Sequence, residues 1–135
     1  MANKCMVHLG PLCSVLSYLA DVYPIEVVGY LLGGERPGET LVGAVYFAEN
    51  LDRSPCSFTA NPLDTIAAHR AAWNLGIDVV GVFHTHPRSG SSPSQSDLEG
   101  MRRWPLTWVI NGRGGTLSAW RLMGGHLESC YIECS

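Results

Sequence analysis

The sequence predicts an α/β domain in which helices pack on a mixed β-sheet. Segments with apolar residues at helical spacing alternate along the chain with short β-branched runs, which is the pattern of helices laid on a sheet. Hairpins are expected at both ends of the chain, so antiparallel pairs must accompany any parallel ones. The length of 135 residues, 46% hydrophobic and 16% charged, suits one globular domain over residues 1–135. A chain of that size buries roughly two thirds of its unfolded surface.

The elements follow in order. Leu12, Val15, Leu16 and Leu19 recur at helical spacing and predict a helix over 11–23, which Pro24 stops. Residues 26–33 are apolar and β-branched, a buried strand. The turn cluster 34–38 joins it to a second strand over 40–51. Residues 52–61 are irregular, with Pro55 among them. Asn61 and Pro62 then supply an N-cap and a first helical position, and Gly76 an end. Within that helix Leu63, Ile66, Ala67 and Trp73 predict one buried stripe. The Val/Gly run 78–83 predicts a central strand that carries His84-Thr85-His86-Pro87 at its carboxyl end. A Ser/Gly/Pro loop over 88–93 leads to a short helix over 94–103. Strands over 106–110, 117–123 and 127–134 close the domain, separated by glycine turns at 112–115 and 124–125. The chain has no internal repeat.

Charge and cysteine usage narrow the function. Nine Lys and Arg stand against twelve Asp and Glu, a net −3, so no basic excess exists to neutralise a row of phosphates and no nucleic-acid partner is expected. No apolar run is long enough to cross a bilayer, so no membrane partner is expected. The first residues do not read as a signal peptide, and a cytoplasmic location is expected. The five cysteines are odd in number, scattered, and without a C-x-x-C pair. Reduced thiols are therefore expected rather than a disulfide framework, with Cys130 and Cys134 as small buried hydrophobes or tail thiols.

The chemistry concentrates in one stretch. Residues i and i+2 of a strand face the same side, so His84 and His86 can aim both imidazoles at one point. The chain then returns through Ser94-Gln95-Ser96-Asp97, with Asp97 on the first turn of a helix. Two neutral imidazoles and a carboxylate suit a catalytic zinc with its fourth position left for water, and no cysteine lies near to close the site. Two histidines one residue apart mean little alone; the third group is what gives them weight. His8, His69 and His126 read as surface or packing residues. A hydrolytic site also needs a base. H-E-x-x-H and the H-x-E plus C-x-x-C deaminase pattern are both absent. Glu26 is the candidate, at the head of an apolar strand where a carboxylate is costly without a partner. From local context alone a solvated strand-end carboxylate is the simpler reading.

Together these residues resemble the JAMM (MPN-plus) metalloprotease motif: a distant Glu, then H-[ST]-H-P, then S-x-x-D. Glu26, His84-Thr85-His86-Pro87 and Ser94-Gln95-Ser96-Asp97 supply every part, and the stretch 23–33 is similar to the family's surroundings of its catalytic Glu. The resemblance covers about residues 12–120. It implies a JAB/MPN fold of the cytidine-deaminase-like α-β-α kind. It also implies one zinc per chain, with a catalytic water, held by His84, His86 and Asp97. By the same resemblance Glu26 takes a proton from that water and passes it to the leaving amine. Ser94 donates a hydrogen bond to the oxyanion, and Thr85 points away and packs. The short run from Asp97 to the strand at 106 leaves no room for a long insertion and looks like the compact prokaryotic form. Residues 50–62 are similar to a loop of bacterial members in sulfur-carrier pathways.

The resemblance implies an isopeptidase or peptidase acting after the carboxyl-terminal Gly-Gly of a ubiquitin-like or ThiS-like partner protein, with β-strand addition beside the site holding the tail. One alternative is release of cysteine or another amino acid from a ThiS-like sulfur carrier. Another is a scaffold or binding module without turnover, which would need neither Glu26 nor Ser94.

Overall fold

A computed structural model describes residues 5–135. The strands are β1 (Met6–His8), β2 (Val28–Arg36), β3 (Glu39–Ala48), β4 (Asp78–His86), β5 (Thr107–Gly112), β6 (Thr116–Met123) and β7 (His126–Glu133). The helices are α1 (Leu12–Leu16), α2 (Leu19–Val22), α3 (Pro62–Leu75) and α4 (Gln95–Arg103). The strands run in the order β1-β3-β2-β4-β5-β6-β7 and the sheet closes on itself. β4 pairs antiparallel with β2 and parallel with β5, so the mixed sheet expected from the hairpins is present and β4 is central to it.

The register places the histidines. His84 stands opposite Val28 on β2 and Ile110 on β5, two residues beyond Glu26 in the first case. Close contact between these strands depends on Gly81, where a Cβ would lie 2.4 Å from the Thr107 carbonyl oxygen. Two apolar clusters flank the sheet. Leu16 and Leu19 of α1 and α2 pack with Leu31, Phe83 and Val109. On the other side Ala68, Ala72 and Met101 of α3 and α4 pack with Leu32 and Trp108.

The helix expected over 11–23 is two helices. The Asn111 side chain accepts from Ala20 N–H at 2.7 Å and donates to Ser17 C=O at 2.9 Å, so the backbone groups freed at the break are bonded from β5. The helix over 62–75 is capped as its ends predict: the Asn61 side chain accepts from Leu63 N–H, and Gly76 takes a left-handed φ of 71°. Its expected stripe is wrong. Leu63, Ile66 and Trp73 are exposed, Trp73 at 83%, while Ala68 and Ala72 are buried. The helix lies on the sheet by its small residues, whose size permits a closer approach than Leu or Trp would.

β1 is an element the residue pattern did not show, and its place overturns the reading of the cysteines. It pairs parallel with both β3 and β7, Met6 standing opposite Glu39 and Tyr131. This brings the two ends of the chain together. Cys5 is disulfide-bonded to Cys130 and Cys13 to Cys134, with Cα separations of 4.7 and 5.6 Å. Cys56 is the free cysteine among the described residues. Partners 125 and 121 residues apart leave no spacing signature, which is why the thiols read as reduced. No helix among the described residues is long and apolar enough to cross a membrane. The same seam holds His8, whose Nε2 lies 2.8 Å from Glu39 and Nδ1 3.0 Å from Glu133.

Alkylation of the native protein followed by mass spectrometry is expected to label Cys56 alone, and reduction should lower the denaturation midpoint. A closed loop of this length is worth about 5 kcal/mol in the chain-entropy account. Labelling of all five cysteines before reduction would remove both cross-links.

Candidate active site

β4 extends through His86, so alternation puts the rings of His84 and His86 on one side and Thr85 on the other. The Thr85 hydroxyl accepts from Val27 N–H at 2.8 Å, and Thr85 N–H donates to Val27 C=O at 3.0 Å. The strand bearing the histidines is thus bonded to the residue after Glu26. Thr85 packs away from the site, as expected.

Asp97 arrives from α4. Ser94 is the N-cap: its hydroxyl oxygen accepts from Asp97 N–H at 3.1 Å, while Asp97 Oδ2 accepts from Ser94 N–H at 2.9 Å, a reciprocal capping box. The carboxylate is fixed before any further group meets it. His84 Nε2 lies 2.9 Å from Asp97 Oδ1, and His86 Nε2 lies 3.0 Å from Oδ2. The two Nε2 atoms are 3.1 Å apart. Asp97 is only 4% exposed. Burial pushes its carboxyl up, but the hydrogen bonds of both imidazoles, the His84 charge and Ser94 N–H outweigh burial and hold it well below the usual carboxylate range.

The imidazoles are held differently. His86 Nδ1 bonds the Gly90 carbonyl at 2.9 Å, which requires N–H there and fixes the tautomer with Nε2 facing His84 and Asp97. His84 is fully buried, and desolvation pulls its pKa down. Its ring lies between aromatics, 4.9 Å from Phe58 and 5.7 Å from Trp108, centroid to centroid. Its Nδ1 has no hydrogen-bond partner among the described residues.

Glu26 is 5% exposed, and no donor among the described residues reaches its carboxylate. Burial pushes its pKa up to about 7; the His86 charge opposes this, and the Asp97 and Asp52 charges add to it. Glu26, Ser94 and Asp97 open on one cleft of about 670 Å³, walled also by Phe58, Trp104 and Trp108. All five residues expected at the site, Glu26, His84, His86, Ser94 and Asp97, are therefore brought together.

The trio fits a metal ion. Its ligand atoms lie within 4.8 Å of one another, and all three residues are buried. Imidazole nitrogens and a carboxylate at this spacing, facing each other out of water, call for a cation among them. The Gly90 bond occupies Nδ1, so Nε2 is the nitrogen His86 would offer to a metal. Phe58, Trp108 and Gly90 were not singled out in the sequence. Each reaches the histidines by the fold, and an aromatic residue in a loop or strand has no spacing that marks it as a wall.

The family model for prokaryotic homologs of the JAB domain matches residues 14–123, and the chain belongs to that family. It is 39% identical over 98 residues, 73% of this chain and 67% of the other, to a desampylase of Pyrococcus furiosus. It is 30% identical over 110 residues, 81% of this chain and 70% of the other, to a probable TtuB-protein conjugate cleaving protease of Thermus thermophilus. Among solved structures, a Salinibacter ruber protein superposes with a TM-score of 0.71 at 32% identity, covering 96% of this chain and 92% of that one. A JAB1/MPN domain protein of Archaeoglobus fulgidus, with a TM-score of 0.57 at 18% identity over 94% and 97% of the chains, shares the fold. The protein is a hydrolytic peptidase or isopeptidase of the JAB type.

The raised pKa of Glu26 makes a stability prediction for the metal-free protein. A carboxyl with a higher pKa folded than unfolded favours the folded state at low pH. That advantage disappears as pH rises from 4.5 to about 7. Glu26→Gln removes the titration. Its unfolding free energy from urea titration should therefore gain on the parent's between about pH 5 and pH 8, by up to roughly 3 kcal/mol. An equal difference at both pH values would mean that the carboxyl is not desolvated.

Proposed function

We propose that this peptidase is zinc-dependent and cleaves the bond after the carboxyl-terminal Gly-Gly of a ubiquitin-like or sulfur-carrier protein, freeing the protein conjugated to it. The observation that carries the reading is the pairing of opposites in one cleft: Asp97 ionised and bonded to two imidazoles, Glu26 without a donor and pushed up to about 7. Two carboxyls whose surroundings drive their pKa values apart have separate roles. Asp97, His84 and His86 are the metal ligands. Bound zinc would supply Lewis acidity, polarising a carbonyl and acidifying water.

Glu26 then acts as proton carrier. With a pKa near working pH it can take the proton of the attacking water and give it to the departing amine. The Ser94 hydroxyl oxygen already accepts from Asp97 N–H, which leaves its hydrogen free to donate to the carbonyl oxygen as negative charge develops there. Phe58, Trp104 and Trp108 wall the cleft, and between such walls an extended tail without side chains is the natural occupant. The similarity to a relative named for cleaving TtuB–protein conjugates favours a conjugated protein over a single released amino acid.

Elemental analysis should find about one zinc per chain. Asp97→Ala and His86→Ala should lose it while far-UV circular dichroism is unchanged, since the ligands lie outside both apolar clusters. Full zinc in both variants would remove them from the ligand set.

A ubiquitin-like protein fused after Gly-Gly to a second protein should be cleaved at that bond, as mass spectrometry would read. Glu26→Gln should slow turnover by about 10²–10⁴ with zinc retained. Ser94→Ala should cost about a hundredfold, plus ~1 kcal/mol of stability for the lost cap. Cleavage that continues with Val in place of the penultimate Gly would show that the tail is not what the cleft selects.

A further inference from the structure

We infer that Asn50 is a positioning residue for Glu26; the inference rests on Glu26 acting as the proton carrier proposed above. Glu26 lies before the first residue of β2 and outside the strand ladders. Its backbone is held by the loop 50–59 instead. Glu26 N–H donates to Ser54 C=O at 2.8 Å, and Glu26 C=O accepts from Asn50 Nδ2 at 3.0 Å. The same Nδ2 group donates to Ser57 C=O at 3.1 Å. On the other side of the amide, Asn50 Oδ1 accepts from Asp52 N–H at 3.0 Å and Thr59 N–H at 3.1 Å. Asn50 itself is buried.

These bonds use both donors of one amide and both lone pairs of its oxygen. Two carbonyls on one side and two N–H groups on the other also fix which end is nitrogen. Only Asn serves: Asp has the shape without the donors, and Gln is a carbon longer. The consequence is a link between two walls of the cleft. Asn50 grips Ser57 and Thr59, the neighbours of Phe58, whose ring lies against His84. With the same amide it grips the residue that carries the proton. The base is therefore held at a set place relative to the loop over the histidines, although neither segment belongs to β4. A residue that merely stabilised the loop would have no reason to reach back to Glu26.

The test uses the zinc-loaded protein and the Gly-Gly fusion described above. Asn50→Asp keeps the acceptor for Asp52 and Thr59 and loses the donors to Glu26 and Ser57. It should lower kcat ~10- to 100-fold with KM within about twofold and zinc content unchanged. Asn50→Ala loses the loop bonds as well and should also raise KM. In the Glu26→Gln background neither change should lower kcat much further, because the group it positions is gone. A kcat that does not fall, or a loss that persists in full in the Glu26→Gln background, would overturn the inference. Amide hydrogen exchange gives an arm independent of turnover. In Asn50→Ala the Glu26, Asp52 and Thr59 amides should exchange at least tenfold faster while those of β4 keep their protection. Unchanged exchange at those three amides would overturn the inference. A parent that cleaves no Gly-Gly fusion would overturn the substrate reading alone, and the exchange arm would still decide the role of Asn50.

Discussion

A carboxylate taken out of water must be met by positive charge and donors, and Asp97 is the group on which the rest of this site depends. Its burial is tolerated because the first turn of α4 offers Ser94 N–H, and because two imidazoles from β4 face its two oxygens. Each of those demands reaches outward. The capping box sets where α4 begins. The Gly90 carbonyl fixes which nitrogen of His86 faces inward. Gly100 on α4 gives room to the Trp108 ring, which a Cβ there would meet at 2.5 Å, and that ring lies against His84.

Glu26 sits under the opposite rule. It is as buried as Asp97 but no donor among the described residues reaches it, so its environment favours the neutral form. One cleft thus holds a carboxyl that must stay charged and one that can exchange a proton near neutral pH. The difference lies in what surrounds each group. Asp97 is built into a helix cap, and Glu26 is placed by backbone bonds that leave its carboxyl unengaged.

The frame that holds these groups is closed far from the cleft. β1, three residues long, joins β3 to β7, and the two disulfides tie the same region across the ends of the chain. The loop 49–61, by contrast, belongs to no strand ladder. It is ordered by the Asn50 amide and by the bridge between Asn50 and Ala60. Closure of the sheet also changes how a substrate tail can be gripped. The strands that carry and flank the histidines, β2, β4 and β5, are paired on both sides. Strand addition directly beside the histidines is therefore not available.

The sequence by itself determined whatever depends on local geometry. Period-two alternation on β4 put His84 and His86 on one side and Thr85 on the other, and Ser94 to Asp97 spelled a helix start with its carboxylate on the first turn. Asn61-Pro62 and Gly76 marked the ends of α3. The multi-part motif likewise found Glu26, which no local pattern singles out. Tertiary structure decided what depends on partners remote in the chain. It chose which face of α3 is buried, because an alanine face approaches the sheet more closely than Leu63 or Trp73 would allow. It broke the first helix where Asn111 could bond the freed backbone. It paired cysteines more than a hundred residues apart by setting a short β1 beside β7. And it left Glu26 buried without a donor, a condition set by the desolvation of its surroundings, which no spacing of residues records.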